Sequence, residues 1–446
     1  MNIANYIKKN AHKLPVGIRI GSIISNLSYS KRPGIGASYA RSSLELKLYE
    51  DGIKGNQELI LEKMYKIVDY AISNTVFYKE FYSDHNFSLN NLKCFEDIKN
   101  IPIVTKSDLS SYKIEHISNM NRSDLQLSNT GGSTGQPFKF YVTSNAMGHE
   151  WAHVHRAWRE LGFSPNELKV IFAGRSQVND FVDYDLIRHS LVVDIYSDFD
   201  LISKKLLKFN SIRAIKYLHG YPSAIFEFAA YCEKNPIILT SLIKNLKGVF
   251  LTSEYPHAYF RDKIEEVFQV KTQSFYGHTE RCIMGYEKEV KGEFNVLQSY
   301  GYCEIVESEL IGTAYESYGT PLIRYATGDK VLSYDEQDGI VNSFRLHEGR
   351  TGEFVIDSVG KKIPLTGLIF GRHHEIFNYV THIQVFQNAP GLVTILYCTK
   401  EELPINVNLL FDSSNVNIEF DFLRVLEPVK TVSGKFKLIV DELPTV

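Results

Sequence analysis

The chain has 446 residues, of which 44% are hydrophobic and 23% are charged, and its formal net charge is −3. This length is too great for a single hydrophobic core, so we expect two or three domains. The near-neutral charge gives no reason to expect nucleic acid as a partner. No apolar run approaches the length of a transmembrane segment.

The cysteines are odd in number, widely spaced and free of any C-x-x-C pair. This usage predicts reduced thiols in a cytoplasmic protein, with neither a zinc knuckle nor a disulfide framework. The five residues are Cys94, Cys232, Cys282, Cys303 and Cys398.

The N-terminal segment, residues 1–32, is basic, and its apolar part is interrupted by Arg19, Ser22, Ser25 and Asn26. Such a segment is a poor signal peptide. Two interpretations stay open. The segment is either a helical arm that packs on the body of the protein or a weak peripheral contact with an anionic membrane surface.

The next elements are helical and then alternate with strands. Residues 57–82 and 144–161 carry apolar residues three and four positions apart, which predicts two helices. Trp151 and Trp158 lie two helical turns apart and are predicted to pack in the core. From residue 168 onward, short apolar runs such as LKVIFAG and SLVVDIY alternate with helical segments. This alternation predicts an α/β fold with layered parallel sheets.

After residue 284 the pattern changes to short strands separated by turns, which predicts a small barrel-like β part or a distorted sheet. The final segments, such as HIQVFQ and LVTILYC, predict a small α+β domain. The polar stretch HEGRTGE lies between these regions and predicts a boundary. We therefore expect a large N-terminal domain over residues 1–348 and a small C-terminal domain over residues 349–446.

The stretch TGGSTGQP contains Gly131, Gly132 and Gly135 beside the hydroxyl residues Ser133 and Thr134. Glycines at such positions let backbone N–H groups turn inward and form an anion-binding nest. The alternative is a surface hairpin turn. The spacing is not that of a Walker motif, because the lysine of G-x-x-x-x-G-K-[ST] is missing.

Three further stretches carry candidate groups. In YGHTERC, Tyr276 offers a stacking ring, Thr279 a hydroxyl and Glu280 a carboxylate for Mg²⁺, unless this is an exposed turn. In RYATGD, Asp329 fits two ribose hydroxyls or, alternatively, bonds its own backbone in a turn. In VSGKFK, Lys435 follows a glycine that permits a tight turn. Alternatively, Lys435 is a solvated lysine that protects an edge strand from pairing with another strand.

The order of these motifs resembles the motif series of the adenylate-forming ligases: TGGSTGQP, YGHTE, RYATGD, GRTGE and SGKFK. This superfamily includes acyl-CoA synthetases, luciferases and the adenylation domains of peptide synthetases. The stretches LHGYPSAIFEFAAY and VFLTSEYP are similar to the phenylacetate–CoA ligase-like branch, which includes members encoded with capsular polysaccharide genes. The resemblance extends over residues 60–440.

The resemblance implies that a carboxylic acid attacks the α-phosphate of ATP, releases pyrophosphate and becomes an acyl-adenylate. A thiol such as coenzyme A, or an amine of an amino acid or amino sugar, then takes the acyl group. The C-terminal domain is expected to be mobile. The implied partners are therefore ATP, Mg²⁺, a small carboxylic acid and a thiol or amine acceptor.

The resemblance also assigns residues to roles. It implies that the β- and γ-phosphates bind at Thr130, Gly131, Gly132, Ser133, Thr134 and Gly135. It implies that adenine lies near Tyr276, Gly277, Ser253 and Glu254. The other assignments are Thr279 to the α-phosphate, Glu280 to Mg²⁺, Asp329 to ribose, Arg350 to ribose or phosphate, and Lys435 to the carboxylate and α-phosphate.

An acyl pocket near His219, Tyr221 and His278 is implied as well, and its polar lining suggests a small polar acid. The histidines are alternatively packed core residues. Gln136 stands where the family usually has a lysine in the phosphate loop, which removes one positive charge. This departure supports the alternative of a catalytically impaired relative that binds a nucleotide or a partner. No cysteine cluster precedes GRTGE, so we expect no structural zinc.

Overall fold

The computed structural model describes residues 26–52, 56–129, 138–174, 178–346, 354–370, 372, 374–380, 382–399, 402–429 and 438–444. Several predicted features lie outside the described residues. These are the basic segment 1–25, the loop 130–137 with Gln136, the stretch 347–353 with Arg350, and the stretch 430–437 with Lys435.

The described helices follow the apolar periodicity of the sequence. Helix α2 buries Ile60, Met64, Ile67, Val68 and Ala71 on one face, in three-and-four spacing. The helices are α1 (Gly36–Glu50), α2 (Asn56–Asn74), α3 (Val76–Asp84), α4 (Lys106–Ser110), α5 (Ile114–Ile117), α6 (Ser144–Trp158), α7 (Phe199–Ile212), α8 (Pro222–Lys234), α9 (Pro236–Ile243), α10 (Ala258–Phe268) and α11 (Val407–Leu410).

The helix predicted over residues 57–82 is present, but it is divided in two. Thr75 has extended backbone angles, and its side chain accepts a hydrogen bond from the backbone N–H of Tyr78. A threonine in this geometry caps a new helix, so α3 begins directly after it. The predicted core helix is confirmed as α6. Its Trp158 is fully buried and stacks on Phe250 with ring centroids 4.4 Å apart.

Twelve strands among the described residues form one mixed sheet in the order β11-β12-β13-β14-β10-β9-β8-β7-β6-β3-β5-β4. Strands β5, β3, β6, β7 and β8 run parallel to their neighbours within this group. The bounds are β3 (Leu168–Ala173), β4 (Val182–Asp185), β5 (Ser190–Asp194), β6 (Ile215–Gly220), β7 (Gly248–Leu251), β8 (Thr272–Gly277), β9 (Met284–Tyr286), β10 (Phe294–Val296), β11 (Gly301–Val306), β12 (Glu309–Ala314), β13 (Tyr325–Gln337) and β14 (Ile340–Leu346).

The parallel half confirms the predicted strand–helix alternation. Its strands are short and apolar, and all four residues of β7 are buried. Strands that are covered by helices on both faces have this composition, since neither face meets water. Helices α8 and α10 pack together over one face, while α6 contributes Trp158 to the other.

Two arrangements were expected after residue 284, a small barrel-like β part or a distorted sheet. The structure has the distorted sheet. Strand β9 pairs antiparallel with β8, so the antiparallel strands continue the same sheet instead of starting a separate one. The register shifts between Glu309 and Ile311 where β12 meets β13, and between Val331 and Ser333 where β13 meets β14. Such irregularities bend and twist the strands locally.

The C-terminal region contains small sheets and packs on the parallel half. Strands β15 (Phe354–Ile356) and β16 (Lys362–Pro364) form one hairpin, and β17 (His382–Ala389), β18 (Leu392–Cys398) and β19 (Glu419–Arg424) form a three-stranded sheet. Buried side chains of this region, including Leu368 and Phe377, belong to the same apolar cluster as residues of β3, β6 and β7. The boundary at residues 348 and 349 lies outside the described residues and stays a prediction.

Two smaller elements complete the description. Strands β1 (Gln126–Asn129) and β2 (Lys139–Val142) pair antiparallel on either side of residues 130–137. The Lys139 ammonium donates a hydrogen bond to the Asn378 carbonyl at 2.8 Å and so joins this strand pair to the C-terminal region. Within the described residues, none of the helices combines the length and the apolarity that crossing a membrane requires.

Candidate active site

Most described site candidates lie at the carboxyl ends of three neighbouring parallel strands. His219 and Tyr221 lie at the end of β6, Ser253 and Glu254 follow β7, and Tyr276 lies near the end of β8. Ligands of open α/β sheets bind at this edge, because the loops there surround a crevice. The fold therefore brings residues as far apart in the sequence as His219 and Tyr276 to one edge.

The turn after β8 carries the residues of the YGHTE motif. The backbone N–H of Arg281 donates to the His278 carbonyl at 3.1 Å and closes the turn, and Arg281 has a φ of 60°. Thr279 is exposed, whereas the side chains of His278 and Glu280 are each only 15% exposed. The buried Cys282 follows and fixes the turn to the core.

The carboxylate of Glu280 is buried but makes only weak contacts. Its Oε2 lies 3.4 Å from Nδ1 of His278, and the Tyr325 hydroxyl donates to Oε1 over a long 3.5 Å. Burial opposes ionisation of this group, but His278, backbone hydrogen bonding and Lys106 together outweigh it and hold the Glu280 pKa below its usual 4.5. Glu280 is therefore an anion with spare acceptor capacity.

His278 is similarly short of partners. Both of its ring nitrogens are buried, and among the described residues neither makes a well-aligned hydrogen bond. The 3.4 Å approach to Glu280 is thus a polar contact rather than a well-directed hydrogen bond. A buried polar ring without hydrogen bonds is costly, which indicates that another group completes this site.

The described residues contain no cluster of three or more metal-ligating side chains. This is compatible with Mg²⁺, which commonly takes one or two protein carboxylates and completes its shell with substrate phosphates and water. The donor chemistry of Glu280 fits such a role: it is anionic and oxygen-bearing, and among the described residues its side-chain contacts are the 3.4 Å approach of His278 and the 3.5 Å contact with Tyr325.

The residues predicted to contact the adenosine are brought together. The Tyr276 hydroxyl donates to Oδ2 of Asp329 at 2.7 Å, and the Asp329 backbone N–H donates to Oγ1 of Thr327 at 3.2 Å. The turn expected at this motif is instead an irregular part of β13, where the pairing with β12 shifts register and Gly328 has a φ of 81°. Tyr276 is only 8% exposed, with its ring edge-on to Phe344. For Tyr276 to stack on adenine, the side chains that bury its ring would have to move. The stacking role of Tyr276 therefore stays a prediction.

Ser253 and Glu254 lie in the loop after β7. Ser253 is exposed and has a φ of 69°. Oε2 of Glu254 accepts from the backbone N–H of Ser223 in the first turn of α8 at 3.1 Å, an arrangement that the helix dipole favours. Its Oε1 is buried without a hydrogen-bond partner among the described residues. Burial raises the Glu254 pKa.

His219 and Tyr221 pack in different clusters. The His219 ring lies against Trp158, with centroids 4.8 Å apart, and its Nδ1 is 3.3 Å from the Phe250 carbonyl. Tyr221 belongs to the apolar cluster shared with the C-terminal region. Between them, Gly220 has a φ of 150°, and a Cβ there would lie 1.9 Å from the Phe172 carbonyl oxygen. The pocket roles of both residues stay predictions.

A small cavity of about 20 Å³ lies beside Glu280. Arg281 faces it, with Nε donating to Oε2 of Glu150 at 3.0 Å. Two other polar residues of this wall, His149 and Glu316, carry no sequence signal, because they come from α6 and from the loop after β12, which only the fold brings together. The lining residues are Phe140, Tyr141, Val142, Ala146, His149, Glu280, Arg281, Ala314, Glu316 and Ser317.

No protein-family model matches the chain. Protein CapK of Staphylococcus aureus is 26% identical over 412 residues, which cover 86% of this chain and 89% of CapK. Among solved structures, 2-hydroxyisobutyryl-CoA ligase with 2-HIB-AMP and CoA in the thioesterification state gives a TM-score of 0.56 at 17% identity. Its postadenylation complex with R3-HIB-AMP gives 0.53 at 16% identity. Each covers 86% of this chain and 89% of the other, so the likeness shows a common fold.

Proposed function

We propose that the chain is an adenylate-forming ligase and that it activates a small carboxylic acid with ATP. The acid becomes an acyl-adenylate, pyrophosphate is released, and the acyl group passes to an amine or to coenzyme A. The observation that carries the proposal is the buried, ionised and weakly contacted carboxylate of Glu280 at the end of β8.

Glu280 would hold the Mg²⁺ that accompanies ATP, and this ion would screen the phosphate charge that opposes attack by a carboxylate. The neighbouring Thr279 presents an exposed hydroxyl that can donate to the α-phosphate. His278 lies against Glu280 and keeps its carboxylate ionised, so Glu280 reaches the substrate as an anion.

Asp329 would accept hydrogen bonds from the ribose hydroxyls, and Tyr276 holds its Oδ2 in place. With the ribose of the nucleotide held by Asp329, an oxygen of the acid attacks the α-phosphorus and the bond to pyrophosphate breaks. Fixing both reactants in this way lowers the entropic part of the barrier.

The polar acid is proposed from the motif resemblance, and the cavity beside Glu280 would have to widen to admit it. Its volume is about 20 Å³, which is room for about one water molecule, and both ring nitrogens of His149 are already hydrogen-bonded, to the Ser42 hydroxyl and the Tyr300 carbonyl. A long acyl chain would need a deeper apolar pocket, because its burial supplies most of the binding free energy of such substrates.

The remaining roles rest on the motif series alone. We propose the loop of residues 130–135 for the β- and γ-phosphates, Arg350 for the ribose or phosphate, and Lys435 for the carboxylate and α-phosphate. Because Gln136 is neutral, these groups and Mg²⁺ would carry more of the charge stabilisation than in relatives with a lysine.

The acceptor is either an amine or the thiol of coenzyme A. The resemblance to ligases encoded with capsular polysaccharide genes, supported by the similarity to CapK over 86% of this chain, favours an amine of an amino acid or amino sugar. Coenzyme A is the commoner acceptor among adenylate-forming ligases and stays the second candidate.

Acid-dependent exchange of pyrophosphate into ATP, measured over a panel of carboxylic acids, tests the proposal. We expect exchange with a small polar acid, and AMP with pyrophosphate as the products. ADP and phosphate would instead indicate an acyl-phosphate ligase. Binding of ATP without exchange for any acid would indicate a catalytically impaired relative.

A further inference from the structure

A second and larger cavity opens between helices α1 and α2, and we refer to it as the helix cleft. Its volume of about 500 Å³ lies within the range of about 300 to 1,000 Å³ that is usual for small-molecule pockets. Of its lining residues, it shares Glu316 alone with the small cavity beside Glu280. Residues of α1, of α2 and of the segment after β12 line the cleft, among them Arg41, Glu45, Lys63, Tyr70, Glu316 and Tyr318.

A chain of ion pairs runs along the wall of the helix cleft. Nζ of Lys63 on α2 lies 2.6 Å from Oε2 of Glu45 on α1, and Oε1 of Glu45 lies 4.0 Å from Nε of Arg41. Nη2 of Arg41 in turn lies 2.7 Å from Oε2 of Glu316. Two cations thus alternate with two carboxylates, and the chain of ion pairs is neutral as a whole.

The other charged side chains of the cleft are also nearly balanced. Glu62 and Lys66 both line it and lie one helical turn apart on α2. Nη2 of Arg122 lies 2.9 Å from the carboxylate of Asp124. A ligand with a net charge therefore finds neither sign in excess, and Coulomb attraction gives it no advantage over a neutral ligand.

The paired groups keep hydrogen-bonding capacity for a ligand. A guanidinium has several N–H donors and a carboxylate has several acceptor positions, so one ion pair does not exhaust either group. Arg41 contacts Oε2 of Glu316, and among the described residues Oε1 of Glu316 accepts no hydrogen bond. Fixed donors and acceptors side by side suit hydroxyl groups, because each hydroxyl both donates and accepts.

Tyrosine rings supply much of the apolar surface of the cleft. Tyr70 and Tyr318 contact each other edge to face, with their centroids 4.9 Å apart and their planes at 84°. Tyr49 and Tyr315 line the cleft as well. Rings at right angles form a corner and not a parallel slot that would hold a flat aromatic ligand. A corner of this kind suits a puckered ring whose C–H groups contact the aromatic faces.

We propose that the helix cleft binds a neutral sugar, which is a puckered ring with hydroxyl groups on most of its carbon atoms. The tyrosine rings contact its C–H groups, and Arg41, Glu45 and Glu316 form hydrogen bonds with its hydroxyl groups. The site needs nothing from the chemistry at Glu280, so this inference goes beyond the proposed function and is independent of it.

Isothermal titration calorimetry with matched sugars tests the proposal. N-acetylglucosamine is compared with its cationic analogue glucosamine, and glucose is compared with its anionic analogue glucuronate. We expect at least one of the two neutral sugars to bind with a Kd of about 1 mM or less, and its charged analogue to bind at least about 10-fold more weakly. The bound sugar should also raise the melting temperature, because it binds the folded chain only.

Two variants locate the bound sugar. Tyr49→Ala removes one ring of the wall, and Glu316→Gln removes the charge of one acceptor while it keeps the shape of the side chain. Each should weaken binding about 10-fold, the effect of losing one contact. Tyr65→Ala is the matched control, because Tyr65 is an exposed tyrosine of α2 that does not line the cleft. Urea midpoints establish that each variant is folded.

Tighter binding of glucosamine or glucuronate than of the matched neutral sugar would overturn the proposal. Absence of binding by both neutral sugars at about 10 mM would overturn it too. Binding that neither Tyr49→Ala nor Glu316→Gln weakens would mean that the sugar lies outside the cleft, which also contradicts the proposal. Pyrophosphate exchange is measured on the same preparation, and its absence would contradict the proposed function while leaving the result on sugar binding unchanged.

Discussion

Two buried glutamates flank strand β9 in the sequence: Glu280 precedes the strand and Glu287 follows it. Their surroundings differ sharply. Glu287 faces Arg261, and the side chains are only 3% and 4% exposed. Nη1 of Arg261 donates to Oε1 at 2.7 Å and Nη2 to Oε2 at 2.9 Å. The backbone N–H groups of Ser274 and Gly292 donate to the same carboxylate at 2.8 and 2.6 Å.

Glu280 is buried too, but its nearest polar contacts are 3.4 and 3.5 Å long. A carboxylate whose lone pairs are all taken can only support the fold, whereas one with free lone pairs can bind a cation or a substrate. Burial alone therefore does not distinguish a structural acid from a functional one. The completeness of its hydrogen bonding does.

The largest expected effect comes from breaking the complete pair. Arg261→Leu leaves the Glu287 carboxylate buried and without its cation, and this should lower the free energy of unfolding by about 3 to 5 kcal/mol. Urea denaturation measures the loss. The exposed pair of Lys330 and Glu309 supplies the control, because Lys330→Ala should change stability little. Equal losses in the two variants would contradict the distinction.

The second effect concerns activity rather than stability. Glu280→Gln keeps the shape of the side chain but removes its charge, so the protein should still fold and the urea midpoint should fall only slightly, by the small stabilisation that the lowered pKa implies. Adenylation should fall about 10²-fold, the scale of losing one preorganised electrostatic group. Pyrophosphate exchange at saturating Mg²⁺ measures this. Native activity in this variant would show that Glu280 is not the metal-binding carboxylate.

A smaller effect is expected at the pair of Tyr276 and Asp329. Asp329→Asn weakens two hydrogen bonds to ribose and should raise the KM for ATP about 10-fold, which corresponds to about 1.4 kcal/mol. Tyr276→Phe removes only the hydrogen bond that positions Asp329 and should change this KM less. The opposite ranking would mean that Tyr276, rather than Asp329, carries the nucleotide contact.

The smallest effect is a shift in pH dependence. The folded-state pKa of Glu280 is lowered, so its contribution to stability is present above the unfolded pKa and is lost as the pH falls through the folded value. His278→Asn removes the neighbouring charge and lets burial dominate, which raises the Glu280 pKa. The acidic limb of the exchange rate should therefore move to higher pH. If the acidic limb of the exchange rate lies at the same pH in His278→Asn as in the native protein, His278 is not the cause of the lowered Glu280 pKa.

The sequence predicted the parallel half of the sheet well, because short apolar strands such as β3 and β7 are recognisable locally. Its motifs also pointed to Glu280 and Asp329, whose roles stay predictions, and the fold brings Tyr276 within hydrogen-bond distance of Asp329. It did not predict that β9 would pair with β8, since the pairing of strands depends on contacts that local periodicity does not contain.

The sequence also gave no sign of the Arg261–Glu287 pair or of Glu316. Arg261 and Glu287 are 26 positions apart. Glu316 faces helices that precede it by more than 240 residues, so only the folded chain assembles that wall. The roles of Ser133, Arg350 and Lys435 lie outside the described residues and stay predictions.

The apolar side chains that join the C-terminal region to the parallel half have a thermodynamic consequence. If that region swings away between the half-reactions, side chains such as Leu368 and Phe377 leave the common cluster and meet water. Hydration of apolar surface gives such an opening a positive heat-capacity change. The half-reaction that needs the open arrangement should then give a curved plot of ln k against inverse temperature, while the other gives a straight line.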